Sequence, residues 1–271
     1  MHAFPNRKWN LFFWLLIIIV VIRVLLIDSL RIDSQANEPE LKTGDLILIS
    51  KIHYGARLPF TTKRLSGLSH IKRGDLIAFN FPEGDSVVKG MESISYYAMK
   101  RKAEIENGAK PIGKVSYRPV YRRSPEVSRC LGIPGDTIMN NPGGMSPDQG
   151  DYNIFPHDAR YPWNRDNFGP VIVPKKGDCI RLTLLNLCIY QRIIEVYERN
   201  RIEIRSGQIF ISGSPVDTYT FKQDYYFVTG DNRLQSRDSR HWGFLPGDHI
   251  IGKPVIIWFS KSWNRIFNIL P

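Results

Sequence analysis

Apolar residues cluster very unevenly along the chain. Leu11 to Ile22 is an unbroken apolar run, Arg23 interrupts it, and Val24 to Ile27 extend it. The seventeen residues from Leu11 to Ile27 lie at the short end of a bilayer-spanning helix, with Arg23 placed to snorkel. The pattern predicts one N-terminal transmembrane helix over 11–27 after a short segment, 1–10. Beyond it the apolar runs are short and bounded by Gly, Pro, Asp and Asn, which predicts strands and turns. Gly44-Asp45 opens a strand over Leu46–Lys51, and Arg73-Gly74-Asp75 opens another over Leu76–Phe81, ended by Pro82. Val127–Ile138 reads as strand, turn, strand. Tyr225–Thr229 and Ile250–Phe259 read as further strands.

Between these runs the pattern changes. Asp28–Lys42 is polar without helical periodicity, and Tyr54–Pro59 reads as a loop. Residues 91–107 are rich in helix formers, with Gly108 as a cap, and predict a helical insertion with a solvated charged face. Residues 140–174 read as loop. Strand patterns return from Cys179 to Arg205, and Gln208–Ile211 with Gly213 and Ser214 reads as a hairpin. The fold class is mostly β. The main β domain takes 28–138 and 223–260, a smaller inserted β domain takes 139–222, and 261–271 forms a C-terminal tail.

Arg7 and Lys8 precede the apolar run, and Trp9 and Trp14 suit a membrane interface. The positive-inside rule then places the N-terminus in the cytoplasm and the body across the membrane. A cleaved secretory signal is the rival reading. The uninterrupted core of twelve is signal-like, and Ser34-Gln35-Ala36 has the spacing of a cleavage site. However, Ala36 lies nine residues beyond Ile27, a long polar spacer that favours an anchor.

At 271 residues, 42% hydrophobic and 23% charged, the chain is long enough for one or two globular domains. The formal charge of +11 comes with no nucleic-acid-binding motif, so attraction to anionic membrane lipid is the simpler account. The three cysteines include no CxxC pair, which argues against a metal site, and no cofactor motif occurs. Cys179 and Cys188 are nine residues apart and could bridge in an oxidising compartment.

The densest chemistry lies in Phe227–Pro246, FVTGDNRLQSRDSRHWGFLP. Turn formers, paired charges and hydroxyls here sit between two apolar runs. A solvated turn is the plain reading. The order Gly230, Asp231, Asn232, Arg233, Ser236, Asp238, Ser239, Arg240, Trp242, Gly243 nevertheless resembles a sequence box of type I signal peptidases. These are membrane-bound serine endopeptidases that remove signal peptides from exported proteins. Four more stretches carry the same resemblance: Gly44-Asp45 with LILISK and YGARLP; Arg73 to Phe79; Arg129 to Asp136, RCLGIPGD; and Gly252-Lys253-Pro254 with IIWFS.

The resemblance implies a β-rich catalytic domain with an inserted β domain, in the cell membrane with a single span, and signal peptides as partners. It also implies a Ser nucleophile, a neutral Lys base and a Ser-assisted oxyanion hole. The nucleophile position, nine residues before Asp45, is Ala36, and the lysine position, just before Arg129, is Ser128. Asn37 and Glu40 also depart from the pattern, whereas Pro39 and Ser34, the oxyanion-type serine, match it. Arg129, Asp231, Arg233, Ser236, Asp238 and Arg240 match the site-supporting positions. A methyl group cannot attack a carbonyl, so the expectation is a protein that binds signal peptides without cutting them, alone or with an active signal peptidase or the secretion machinery. The alternative is an active signal peptidase using displaced residues, with Lys110 or Lys114 as base.

Overall fold

The computed structural model describes residues 7–59, 61, 63–91, 95–105, 113–140 and 154–271. In chain order the first elements are helix α1 (Arg7–Leu25), β1 (Ile27–Arg31), β2 (Leu46–Ser50), β3 (Leu76–Asn80), β4 (Ser86–Val88), α2 (Tyr96–Ile105) and β5 (Val115–Tyr117). The middle of the chain carries β6 (Pro125–Gly132), β7 (Thr137–Asn140), β8 (Phe168–Ile172), β9 (Cys179–Arg181), α3 (Leu187–Arg192), β10 (Ile202–Arg205), β11 (Gln208–Ile211), β12 (Ser214–Pro215) and β13 (Thr218–Thr220). Last come β14 (Tyr225–Thr229), α4 (Ser239–Trp242), β15 (Leu245–Pro246), β16 (Ile250–Phe259) and β17 (Asn268–Ile269).

Eight strands form the principal sheet in the order β1-β2-β16-β3-β6-β14-β15, with β17 also pairing β16. The long strand β16 holds the sheet together, because its first half pairs β3 and its second half pairs β2. Both faces of β3 are buried, as its unbroken apolar sequence requires. Leu76 and Ala78 pack on one face with Leu41, Ile47 and Ile49, while Ile77 and Phe79 pack on the other with Val228, Trp242 and Leu245. A third cluster joins Phe155, Trp163, Phe168 and Ile193 to Phe227 and Phe244, so the residues between β7 and β13 share a core with the ends of β14 and β15.

Several elements depart from the sequence pattern. Ile27 does not extend the N-terminal helix: α1 ends at Leu25 and Ile27 opens β1, paired with Ser50 of β2. That pairing makes a strand in the segment that lacks a local signal, since a two-sided polar strand is specified by its partner rather than by its own pattern. Among the described residues no helix is both long and apolar enough to cross a membrane. The side chains of Leu11, Phe12, Phe13 and Trp14 on α1 are nonetheless more than half exposed.

Between Cys179 and Arg205 the expected strands are interrupted. Leu187–Arg192 is α-helical and runs into a π-turn over Ile193–Tyr197. Its buried residues, Leu187, Ile189, Tyr190, Ile193 and Ile194, fall at helical spacing, and a short apolar run does not reveal its period until a core selects one face. β8 likewise forms within the stretch read as loop, through its ladder with β7. The helical insertion is present as α2, and it is not merely solvated: the Tyr97 hydroxyl donates to Asp85 at 2.7 Å and Arg101 pairs with Glu83 at 3.2 Å. Its expected cap, Gly108, lies outside the described residues. Cys179 and Cys188 are free thiols. The C-terminal segment is tied down, with β17 on β16 and Leu270 buried.

Candidate functional site

Strand β6 has two different edges. Along one, residues 125–129 pair with β3, with Ile77 opposite Ser128 and Phe79 opposite Glu126. Along the other, β14 pairs only Arg129, Cys130 and Gly132 and then turns away at Gly230. Among the described residues no strand pairs the edge of residues 125–128, where the Asn37 side chain already donates to the Val127 carbonyl. Strand β1 stands at the end of the sheet order, so among the described residues its outer edge is also free of a strand. The segment that follows β1 faces this edge of β6 across a cleft of about 500 Å³, lined by residues 30–34, 36–37, 124–128 and 235–237. Two strand edges flanking a cleft can take an extended peptide through main-chain hydrogen bonds.

Ala36 and Ser128 both line this cleft. Ser128 is buried within β6, Ala36 is half-buried in the turn after β1, and Ser34 is exposed at the rim. The Ala36 carbonyl accepts from the Asn232 N–H at 3.0 Å, which fixes this turn to the loop after β14. Gly230 makes the approach possible: a Cβ there would lie 2.4 Å from the Ala36 oxygen.

The supporting residues form two charged units. Arg129 grips Asp231 through two hydrogen bonds of 2.7 Å and donates to the Gly74 carbonyl at 2.8 Å. The planar fork of a guanidinium fits a carboxylate in this way, and each partner strengthens the charged form of the other. In the second unit Asp238 and Arg240 are fully buried and joined at 2.9 and 2.8 Å. Asp238 also accepts from the backbone N–H groups of Gly230 and Arg240, and Arg240 reaches the Arg233 carbonyl at 2.8 Å. Ser236 accepts from Gly230 N–H at 3.1 Å. Arg233 contributes its carbonyl oxygen to this unit, while its side chain is exposed.

Two residues of the cleft have neighbours that the motif does not predict. Asn37 is buried, and its amide nitrogen crosses to the Val127 carbonyl at 2.7 Å, while its Oδ1 has no partner. Glu126 lies two residues before Ser128 and so on the same face of β6. Desolvation pushes its carboxyl up to about 7, against the pull of Arg237. The period of two along β6 could have placed Glu126 beside Ser128, but nothing local predicts that this half-buried carboxyl is desolvated. Glu40, by contrast, does not line the cleft; its carbonyl accepts from Arg265 at 2.8 Å.

The described lining contains neither lysine nor histidine. Lys114 is exposed beside the β4–β5 ladder, where its carbonyl receives Lys89 N–H at 3.1 Å, and Lys110 lies outside the described residues. Among the described residues no His, Cys, Asp and Glu cluster could hold a metal ion. Among the described lining residues the groups with ordinary proton-transfer chemistry are the carboxylates of Asp33 and Glu126.

Comparison with known proteins gives a consistent result. The sequence profile of the family described as "Signal peptidase, peptidase S26" matches residues 6–259. The chain is similar to Signal peptidase I of Buchnera aphidicola subsp. Baizongia pistaciae, with 27% identity across 91% of this chain and 74% of that protein. It is similar to Signal peptidase I of Pseudomonas fluorescens at 25% identity, across 92% of this chain and 70% of the relative. For Signal peptidase I of Aquifex aeolicus the identity is 24%, across 92% and 82%.

Proposed function

The chain belongs to the signal peptidase family, peptidase S26, and on that premise we propose that it binds the signal peptides of exported pre-proteins without cutting them. The observation that carries this reading is the cleft itself. Its two strand edges, free of a strand partner among the described residues, and its supporting network flank it, while a methyl group stands at Ala36 and no lysine occurs in the described lining. An extended signal peptide would add a strand between residues 30–34 and 125–128, then leave intact. Loss of a serine protease nucleophile costs on the order of a million-fold in turnover.

The same proposal places the protein in the cell membrane as a single span, with its N-terminus cytoplasmic and its body on the extracytoplasmic side. The support is α1: Leu11, Phe12, Phe13 and Trp14, four consecutive residues that point to different sides of the helix, are all more than half exposed. A helix apolar on all sides and uncovered by protein belongs in lipid. Residues 139–222 are taken as an inserted β subdomain, since most of their core is their own. An active signal peptidase or the secretion machinery is the proposed recipient of the bound peptide.

A second reading, residual hydrolysis by displaced residues, has one observation in its favour. Glu126, poised near neutrality, shares the cleft with Ser128. Two residues along a strand are about 7 Å apart, however, beyond direct proton transfer.

The test is to incubate the purified full chain in detergent with an exported pre-protein, beside an active signal peptidase, and to analyse the products by mass spectrometry. A fluorescent signal peptide reports binding by anisotropy. Saturable binding with intact pre-protein is expected. Cleavage after the small-x-small site overturns the non-catalytic reading, and its loss in Glu126→Gln would assign the base.

A further inference from the structure

A second cavity lies where α1 joins the body, and its chemistry is unlike that of the cleft. It encloses about 420 Å³, and among the described residues four cationic side chains, Arg23, Lys51, Arg57 and Arg123, line it with a single carboxylate, Asp28. That carboxylate is already in use, with Arg23 at 2.8 Å and Lys51 at 3.0 Å. Lys51 also donates to the carbonyls of Arg23 and Val24, so it fastens the last turn of α1 to β2 and sets the mouth of the cavity.

The two deeper arginines are balanced differently. Arg57 is half-buried, and its described partners are neutral oxygens, the Asn80 side chain at 2.6 Å and the Asp248 carbonyl at 3.4 Å. Arg123 is buried against the carbonyls of Arg118 and Pro82 and the ring of His249. The Asp248 carboxylate is occupied by His249 Nδ1 at 2.7 Å. Burial depresses the Arg57 pKa, Arg123 depresses it further, and Asp248 offsets this only in part. Buried charges are ordinarily paired, and two guanidinium groups converging on one cavity with only neutral acceptors leave a deficit of negative charge.

We propose that this cavity binds the phosphate of an anionic membrane lipid, with Arg57 as the principal donor and Arg23 closing the outer side. A guanidinium presents planar paired donors that match phosphate oxygens. The position fits the source. The cavity opens beside the C-terminal end of an apolar helix whose side chains are exposed, so a headgroup seated there leaves its acyl chains alongside α1. Val24, Leu58, Pro59 and Ile251 supply apolar wall for the glycerol end of the ligand. Free phosphate shares the recognised chemistry but gains nothing from the helix or these walls.

Calorimetry on the full chain in uncharged detergent tests this, with dihexanoylphosphatidylglycerol, dihexanoylphosphatidylcholine and inorganic phosphate as separate probes. Saturable binding of the phosphatidylglycerol is expected, with much weaker binding of the other two. Arg57→Gln should weaken it roughly tenfold, the equivalent of one lost charge-assisted contact, and Arg57→Lys should lose less. Arg23 is exposed, so Arg23→Gln leaves folding untouched and should still weaken binding several-fold, whereas Arg201→Gln, remote from the cavity, should not. Wild-type affinity in both Arg57→Gln and Arg23→Gln overturns the site. Equal affinity for inorganic phosphate overturns the lipid assignment, and equal affinity for phosphatidylcholine overturns the requirement for net negative charge.

Discussion

The backbone N–H of Asn232 donates to the carbonyl of Ala36 at 3.0 Å, so the turn that would carry a nucleophile is clamped to the loop that follows β14. Ala36 carries a methyl group, and this hydrogen bond holds its backbone in place. The clamp fixes one wall of the cleft.

That geometry predicts restoration. Ala36→Ser with Ser128→Lys should cleave a pre-protein, while either change alone should stay at least a thousand-fold lower. Position 128 is buried, which lowers a lysine pKa toward the neutral form a base requires. The Glu126 carboxylate on the same face opposes this by favouring the protonated lysine, so adding Glu126→Gln should raise turnover above the double variant. Initial rates from mass spectrometry decide both points.

Gly230→Ala should destabilise the body by about 1–3 kcal/mol, the usual cost of forcing an added methyl into a packed site. The new Cβ would meet Ser236 Oγ at 2.3 Å and the Ala36 carbonyl at 2.4 Å. Urea unfolding reads the loss, and signal-peptide affinity should fall with it because the Ala36 turn must move.

Stability should carry a pH signature of Glu126. Its carboxyl is raised from about 4.5 to about 7, so between those values the folded protein holds a proton that the unfolded chain has released. This contribution is fully present below about 4.5 and is lost as pH rises through about 7. Burial lowers the pKa of His241 and of His249, which acts in the opposite sense. The informative quantity is therefore the difference between wild type and Glu126→Gln across that window, measured by urea midpoints. The wild type should lose stability relative to the variant as pH rises.

Asp238→Ala should cost about 3–5 kcal/mol, because it leaves the Arg240 guanidinium buried without its counter-charge. Asp238→Ala combined with Arg240→Met should recover much of that loss. Thermal and urea melts of the single and double variants measure the coupling.

Much of the sheet is legible in the linear pattern. Tyr225–Thr229 and Ile250–Phe259 are bounded by turn residues and apolar along their length, and the strands form over those residues. Leu187–Tyr197 was not legible, because its apolar residues suit a strand or a helix until Phe221, Phe227 and Phe244 offer a core to one face. β1 was not legible either, since its register comes from β2.

The identities at 36 and 128, and the order of charges from Gly230 to Gly243, are properties of the sequence alone. They carry the family likeness and put a methyl group at 36 and a hydroxyl at 128, because chemistry at a named position depends only on which side chain is there. What tertiary structure decided is environment. Among the described residues the edge at 125–128 has no strand partner because β14 leaves β6 at Gly230. The elevated carboxyl of Glu126 and the under-neutralised Arg57 likewise arise from residues far away in the chain. Burial and charge balance are sums over neighbours, and the neighbours are assigned only when the chain folds.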